Sequence, residues 1–252
     1  MRKGGAAVES VVNAAHAHGI TTLTLDSPAN RNALSTALVG ELRAALAAAG
    51  ADPEVRAVVL THTGSTFCAG ADLKSPCAPA DFLALLCEIA DLPRPVVARV
   101  TGHVRAGGLG LLGVCDLAAA GPGSTYAFTE THLGLVPAVI SAPLLPRLDP
   151  RAAARYFLTG EPFDAAEAVR IGLLTVHGED VDEALAPLLA GLRKAAPNAL
   201  AETKRLVTAP VREALALDGA ALTELSARVF GSDEAREGIT ARFERRDPSW
   251  AR

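Results

Sequence analysis

Between Ile20 and Leu25 the chain reads Ile-Thr-Thr-Leu-Thr-Leu, apolar positions alternating with threonines, as in a strand with one buried face. Val8 to Val12 reads as a second strand, and the His/Gly-containing connection between them predicts a hairpin. Ser27-Pro28-Ala29-Asn30 makes a turn, after which Ser35 can cap a helix whose Leu38, Leu42 and Leu46 recur at helical spacing until Gly50. Asp52-Pro53 opens the next unit. Ala57 to Leu60 and, after Pro93 and Pro95, Val96 to Val100 are short apolar runs of the kind buried on both faces of a parallel sheet. Leu117 to Ala120 is a further strand-like run. Two strand–loop–helix units result, and the second half changes character. Ala152 to Leu158, Ala165 to Ile171, Asp182 to Lys194, Ala199 to Thr208, Arg212 to Val229 and Asp233 to Phe243 all carry helical patterning. Strands early and helices late predict an α/β core followed by a helical tail that covers it or packs on another subunit.

Composition narrows the function. Of 252 residues half are apolar and 21% are charged, with a net charge of −4, which suits a sizeable core and offers no basic stripe for nucleic acid or an anionic membrane. Cys68, Cys77, Cys87 and Cys115 show no Cys-x-x-Cys spacing, so reduced thiols and a cytoplasmic setting are expected. The opening residues lead to a segment broken by Glu9 rather than to a secretory core. The apolar run from Leu133 to Pro146 contains three prolines and falls short of the roughly 20 residues that cross a bilayer. No membrane partner is expected.

Two loops carry the candidate chemistry. Phe67-Cys68-Ala69-Gly70-Ala71-Asp72-Leu73 follows the strand at 57–60, and its small side chains leave backbone N–H groups accessible. Gly102-His103-Val104-Arg105-Ala106-Gly107-Gly108 follows the strand at 96–100 and runs into a helix through Leu111 to Cys115, so that a helix N-terminus with unpaired N–H groups falls at Gly107. One N–H from each loop could hold a carbonyl oxygen as it becomes negative, a donor whose loss typically costs about 3 kcal/mol of activation energy. Gly108-Leu109-Gly110-Leu111-Leu112-Gly113 formally matches a dinucleotide fingerprint. The next strand begins only four residues after Gly113, too soon for a crossover helix, so Gly113 is expected to admit close helix packing instead. No serine or cysteine stands at the Gly107 helix start, which removes the nucleophile a protease would need, and Cys68 is expected to be a packed thiol.

Glu130 is the acid of interest, set in the apolar stretch Tyr126-Ala127-Phe128-Thr129-Glu130-Thr131-His132-Leu133-Gly134. Buried there, its carboxyl would be raised toward neutrality and could exchange protons. The bland role is a glutamate beside a helix start. His132 would point the other way if this stretch is helical. His16, His18, His62, His103 and His177 lack metal-ligand spacing, and no metal site is expected.

Asn30-Arg31-Asn32-Ala33-Leu34, the two loops, and Glu130 followed by Leu133-Gly134-Leu135-Val136-Pro137 together resemble the crotonase superfamily of enoyl-CoA hydratases and isomerases. Leu158-Thr159-Gly160, Ala165 to Ala168, Gly172-Leu173 and the ending from Glu237-Gly238 to Phe243 extend the resemblance over nearly the whole chain. It implies one crotonase-like domain over 1–252: a spiral of ββα units to about residue 195, then a helical region that assembles trimers, or pairs of trimers. It also implies an acyl-CoA thioester substrate, coenzyme A as carrier and no prosthetic group. Ala71 and Gly107 would supply the two N–H groups and Glu130 would move the proton. Arg31 and Lys74 would lie near the nucleotide, and Ala69, Gly70, Asp72, Leu73, Gly108, Gly110 and Pro137 would line the substrate site. Typical hydratases of this resemblance carry a second glutamate three residues beyond the second oxyanion glycine, where this chain has Gly110. A glycine can neither hold water through a side chain nor transfer a proton. The expected activity is therefore double-bond isomerisation or an atypical hydration, with a catalytically degenerate acyl-CoA binder as the alternative. Gly110, one turn beyond Gly107, is expected to face the reacting carbonyl, so that a side chain there enters the pocket unless neighbouring residues have filled the vacated space.

Overall fold

His18 and Gly19 both take positive φ, 50° and 74°, as a two-residue type I′ hairpin turn requires. They join β1 (Val12–Ala17) to β2 (Ile20–Leu25) in antiparallel register, Ala17 facing Ile20 and Val12 facing Leu25. The computed structural model describes residues 10–251. Of the strand expected at Val8 to Val12, Val8 and Glu9 lie outside the described residues and Ser10 and Val11 are not in a strand, so the observed β1 begins where that expectation ends. The turn dictates the register, and β1 is an edge strand with only Val12 buried, so it shows no apolar alternation. On the other side of β2 lie β3 (Ala57–His62), β5 (Val96–Val100), β7 (Leu117–Ala120) and β10 (Val176–His177), all parallel, in the order β1-β2-β3-β5-β7-β10. β3 is buried at every position because both faces of the sheet are covered, as the unbroken apolar runs predict. Leu23, Leu25, Val58, Leu60 and Ala98 meet Leu38, Leu42 and Leu46 of α1 (Thr36–Ala51) and Leu85, Leu86 and Ile89 of α2 (Pro79–Asp91) in the main core. The opposite face packs on Val181 and Leu185 of α7 (Val181–Lys194).

Each long strand from β3 onward is followed by a short one in a second sheet: β4 (Thr66–Cys68) after β3, β6 (His103–Arg105) after β5, β8 (Thr125–Ala127) after β7, with β9 (Phe163–Asp164) antiparallel at its edge. A helix closes each turn, namely α2, then α3 (Gly107–Val114), then α4 (Ala138–Leu144). Three successive ββα turns make the expected spiral. They also do what two long loops could not: β4, β6 and β8 are parallel neighbours, so the segments that leave them emerge side by side at one sheet edge, with strands roughly 4.8 Å apart.

Ser35 caps α1 as expected, its hydroxyl accepting the Leu38 N–H at 3.2 Å. The late helices are α5 (Pro150–Thr159), α6 (Ala165–Arg170), α7, α8 (Pro197–Val207), α9 (Ala209–Phe230) and α10 (Asp233–Glu244), each within a few residues of its expected span. The tail covers its own core. α9 packs on α2 and α4, and Lys204 of α8, only 5% exposed, donates to Ile89 O and Arg94 O and pairs with Asp116 at 2.9 Å. No helix among the described residues is long and apolar enough to cross a membrane.

Candidate active site

The segments leaving β4, β6 and β8 hold Ala71, Gly107 and Glu130, two or three residues after their strands end. The first is shaped from both sides. Ala69 N–H donates to Arg31 O at 3.1 Å, Leu34 N–H to Gly70 O at 2.8 Å, and Asp72 N–H to Leu34 O at 3.4 Å. These bonds turn the alternate group, the Ala71 N–H, away from the Leu34 segment, and it donates to no protein acceptor among the described residues. Gly70 holds φ at 89°, and a Cβ there would lie 2.8 Å from Ala106 Cβ and 3.1 Å from Gly107 N. Only glycine accepts that conformation and that approach together.

At the second segment Ala106 stands at φ 48°, ψ −123°, a strained conformation for a residue with a Cβ. Its N–H donates to Ala127 O at 3.2 Å and its carbonyl accepts the Leu109 N–H at 2.8 Å. The twist at Ala106 orients the following peptide, so the Gly107 N–H leads the first turn of α3, where no intrahelical acceptor exists. A Cβ on Gly107 would lie 2.8 Å from Leu34 Cδ1 and 3.7 Å from Ala71 N. The glycine thus keeps open the space in front of both N–H groups.

The third segment brings Glu130, 7% exposed. Burial pushes its carboxyl up to about 7, and its Oε2 has no hydrogen-bond partner. Its own carbonyl accepts Leu133 and Leu135 N–H groups, both at 2.9 Å, closing the 3-10 turn Thr131–Leu133, but its side chain makes no cap. Glu130 thus stands at the N-cap of a single 3-10 turn without a side-chain capping bond. His132 turns away, its Nε2 at 2.7 Å from Thr159 O.

Other expected site residues divide by what the structure has already used them for. Asp72 is committed within its loop: Oδ1 accepts the Lys74 and Ser75 N–H groups at 2.9 and 3.2 Å, and Oδ2 accepts Asn30 Nδ2 at 3.2 Å. Those bonds, the one from Lys74 foremost, hold its carboxyl below the usual range. Gly108 lets α3 approach β4, since a Cβ there would lie 2.6 Å from Cys68 O. Cys68 is fully buried and pushed up to about 12, a packed thiol. Arg31 and Lys74 are exposed and form no ion pair among the described residues. Ala69 and Leu73 are half-buried, and Pro137 precedes the first residue of α4.

At Gly110 the second of the two expected situations holds. A Cβ there would meet Ile140 of α4, 2.5 Å from its Cγ2 and 2.9 Å from its Cβ, so a neighbouring residue fills the space a side chain would need. Gly113 repeats the contact one turn on, 2.5 Å from Leu144 Cδ2, and the two glycines form the seam along which α4 lies on α3. Gly113 does the packing expected of it. Sequence reasoning gave Asn32 no role, yet it is fully buried at φ 52°. Its Oδ1 accepts the Ser27 N–H at 2.7 Å and its Nδ2 donates to Thr63 O and Thr66 O at 3.1 and 2.8 Å, tying three chain segments behind the Ala71 loop. An asparagine in the turn just before the apolar pair Ala33-Leu34 was the available signal.

Two unpaired N–H groups on adjoining segments, with a desolvated acid leaving the next strand, define a class of protein that can hold an oxyanion and exchange a proton beside it. The chain belongs to the enoyl-CoA hydratase/isomerase family, whose sequence model matches residues 15–252, and it is an enzyme of that hydratase/isomerase type. An enoyl-CoA hydratase structure from Mycobacterium avium is similar with 48% identity and a TM-score of 0.91, over 97% of this chain and all of that one. An enoyl-CoA hydratase/isomerase structure from Pseudoalteromonas atlantica T6c is 30% identical with a TM-score of 0.86, over 96% of this chain and all of that one. The carnitinyl-CoA dehydratase of Citrobacter koseri is 34% identical over 92% of this chain and 95% of its own length.

Proposed function

We propose that the Ala71 and Gly107 N–H groups receive the thioester oxygen of an acyl-CoA and that Glu130 moves a proton on the bound acyl chain. The observation that carries this is Glu130 itself: buried, with one oxygen unpartnered, and poised near neutrality, where a general base works best. In the isomerisation this supports, ionised Glu130 takes a proton from C2 of a 3-enoyl thioester. The C2–H electrons form a dienolate whose negative charge rests on the thioester oxygen between the two N–H groups. The glutamic acid then returns the proton to C4, leaving the double bond between C2 and C3. No second acid and no other reactant is consumed. Coenzyme A is the carrier in this proposal, exposed Arg31 and Lys74 meet its phosphates, and no prosthetic group is needed.

The relatives, an enoyl-CoA hydratase and a carnitinyl-CoA dehydratase among them, favour a second reading, addition or removal of water. A panel of 2-enoyl- and 3-enoyl-CoA thioesters assayed for both reactions, with Glu130→Gln alongside, separates the two. Glu130-dependent isomerisation is the expected outcome. Binding of thioesters with no turnover on any member would return the protein to the degenerate binder. We also infer a homotrimer or a dimer of trimers, supported by the exposed Leu206, Val207, Leu217, Phe230, Phe243 and Trp250 of the tail.

A further inference from the structure

We propose that Ile140 determines the reaction type: its side chain occupies the space that an acid at position 110 would need, and so confines the site to the proton traffic of Glu130. This deepens the proton-shuttle reading above and rests on it. The geometry is specific. The Cα–Cβ direction of Gly110 points at Ile140 Cγ2 and Cβ, at 2.5 and 2.9 Å, so the obstacle reaches back to the branch point of the side chain and is not the tip of a flexible chain. Ile140 is 3% exposed and Gly110 is buried, which leaves neither residue free to swing aside. β-branching further limits Ile140 within a helix to essentially one χ1 rotamer. The seam is locked by the next pair, Gly113 on Leu144.

The chemical consequence follows from what water addition demands. Water attacking C3 of a 2-enoyl thioester must lose one proton and C2 must gain one, and a second acceptor beside the water holds it in line for attack. At this position the structure supplies a branched hydrocarbon, which offers no hydrogen bond. Proton relocation within the acyl chain needs no water and one acid, so Ile140 leaves it unhindered. Gly110 and Ile140 are therefore one device in two parts, and replacing the glycine alone cannot convert it.

The test uses the full chain and reads the ratio of hydration to isomerisation, which a merely structural role would not move. Four proteins are compared: the parent, Gly110→Glu, Ile140→Ala, and the double variant Gly110→Glu/Ile140→Ala. Gly110→Glu is expected to lower Tm without raising the ratio, because its Cβ is forced against the Ile140 side chain. The double variant is expected to recover part of that Tm loss and to raise the ratio at least about tenfold. Ile140→Ala keeps the proposal testable if neither glutamate variant folds, since the opened space admits water beside Gly110 and the ratio should rise about threefold or more. An unchanged ratio in Ile140→Ala and, where it folds, in the double variant would overturn the proposal, as would a Gly110→Glu protein that hydrates as well as the double variant. If the parent's isomerisation does not depend on Glu130, the underlying proton-shuttle reading has failed instead, and Ile140 falls with it. A Glu130-dependent parent with an unresponsive ratio sinks the role of Ile140 alone.

Discussion

Replacing Glu130 by Gln should make the protein slower and, above neutral pH, more stable. A carboxyl raised by burial from 4.5 to about 7 keeps its proton in the folded chain over an interval in which the unfolded chain has released it. The native state then binds more protons, so stability falls as pH rises: it is fully present below pH 4.5 and lost as pH passes through 7. About two and a half pH units at about 1.36 kcal/mol each make the loss roughly 3 kcal/mol. Glutamine has nearly the same shape and does not titrate. Relative to the parent, Glu130→Gln should therefore gain roughly 3 kcal/mol between pH 5 and pH 8, with turnover down by about two to four orders of magnitude. Urea denaturation of both proteins at the two pH values gives the stability difference, in which other titrating groups cancel. A pH-dependent gain below about 1 kcal/mol would refute the reasoning. In the parent, kcat/KM should climb with pH and level off above about 7, as the base ionises.

Gly107→Ala should cost about a hundredfold in kcat/KM, roughly 3 kcal/mol, because the new Cβ meets Leu34 Cδ1 and crowds the Ala71 N–H; unchanged kinetics with unchanged circular dichroism would deny the two groups a shared oxyanion. Ala106→Gly should stabilise the protein by about 1 kcal/mol by relieving the φ 48° conformation, read as a higher denaturation midpoint; a lower midpoint would show that Ala106 is not strained. Lys204→Met should cost about 3–5 kcal/mol by leaving Asp116 buried without its cation, and less at pH 5 than at pH 8, since protonation relieves the orphaned carboxylate. Sedimentation at micromolar concentration should show a trimer or hexamer, and a concentration-independent monomer would contradict the assembly.

What the sequence made legible depended on whether an element's signal was local. The strand Val96–Val100 and the run Leu117–Ala120 were bounded by prolines or a short connection and were read at their observed limits. The six late helices were long enough for their periodicity to show. β4, β6, β8 and β9 span two or three residues each, too few for any alternation, so the second sheet was invisible, and the grouping of Ala71, Gly107 and Glu130 rested on the two small-residue loops and the family resemblance. The reading passed over α2, and it took the stretch holding α4 for a proline-broken apolar run, because Pro143 sits inside that helix. Whether the space at Gly110 is open or filled could not be read from its own helix, because the answer lies on the neighbouring one. No local pattern states that Ile140 lies against the glycine.

The packing of the tail and the placement of the candidate acid are not separable here. From sequence the late helices cover the core or pack on another subunit, and α10 lies on the turn that follows Glu130, backbone against backbone. A Cβ on Gly134 would be 2.6 Å from the Glu234 carbonyl carbon, and one on Gly238 would overlap the Leu133 carbonyl. Gly134 also holds φ at 65°, so the turn and the helix contact depend on the same residue. Glu130 N-caps that turn without making a side-chain bond of its own; its orientation is set through the backbone, by the Leu133 and Leu135 N–H groups on its carbonyl. The surface packed against that turn is α10. With Oε2 of Glu130 unpartnered, the packed glycines supply rigidity that hydrogen bonds to that oxygen would otherwise provide.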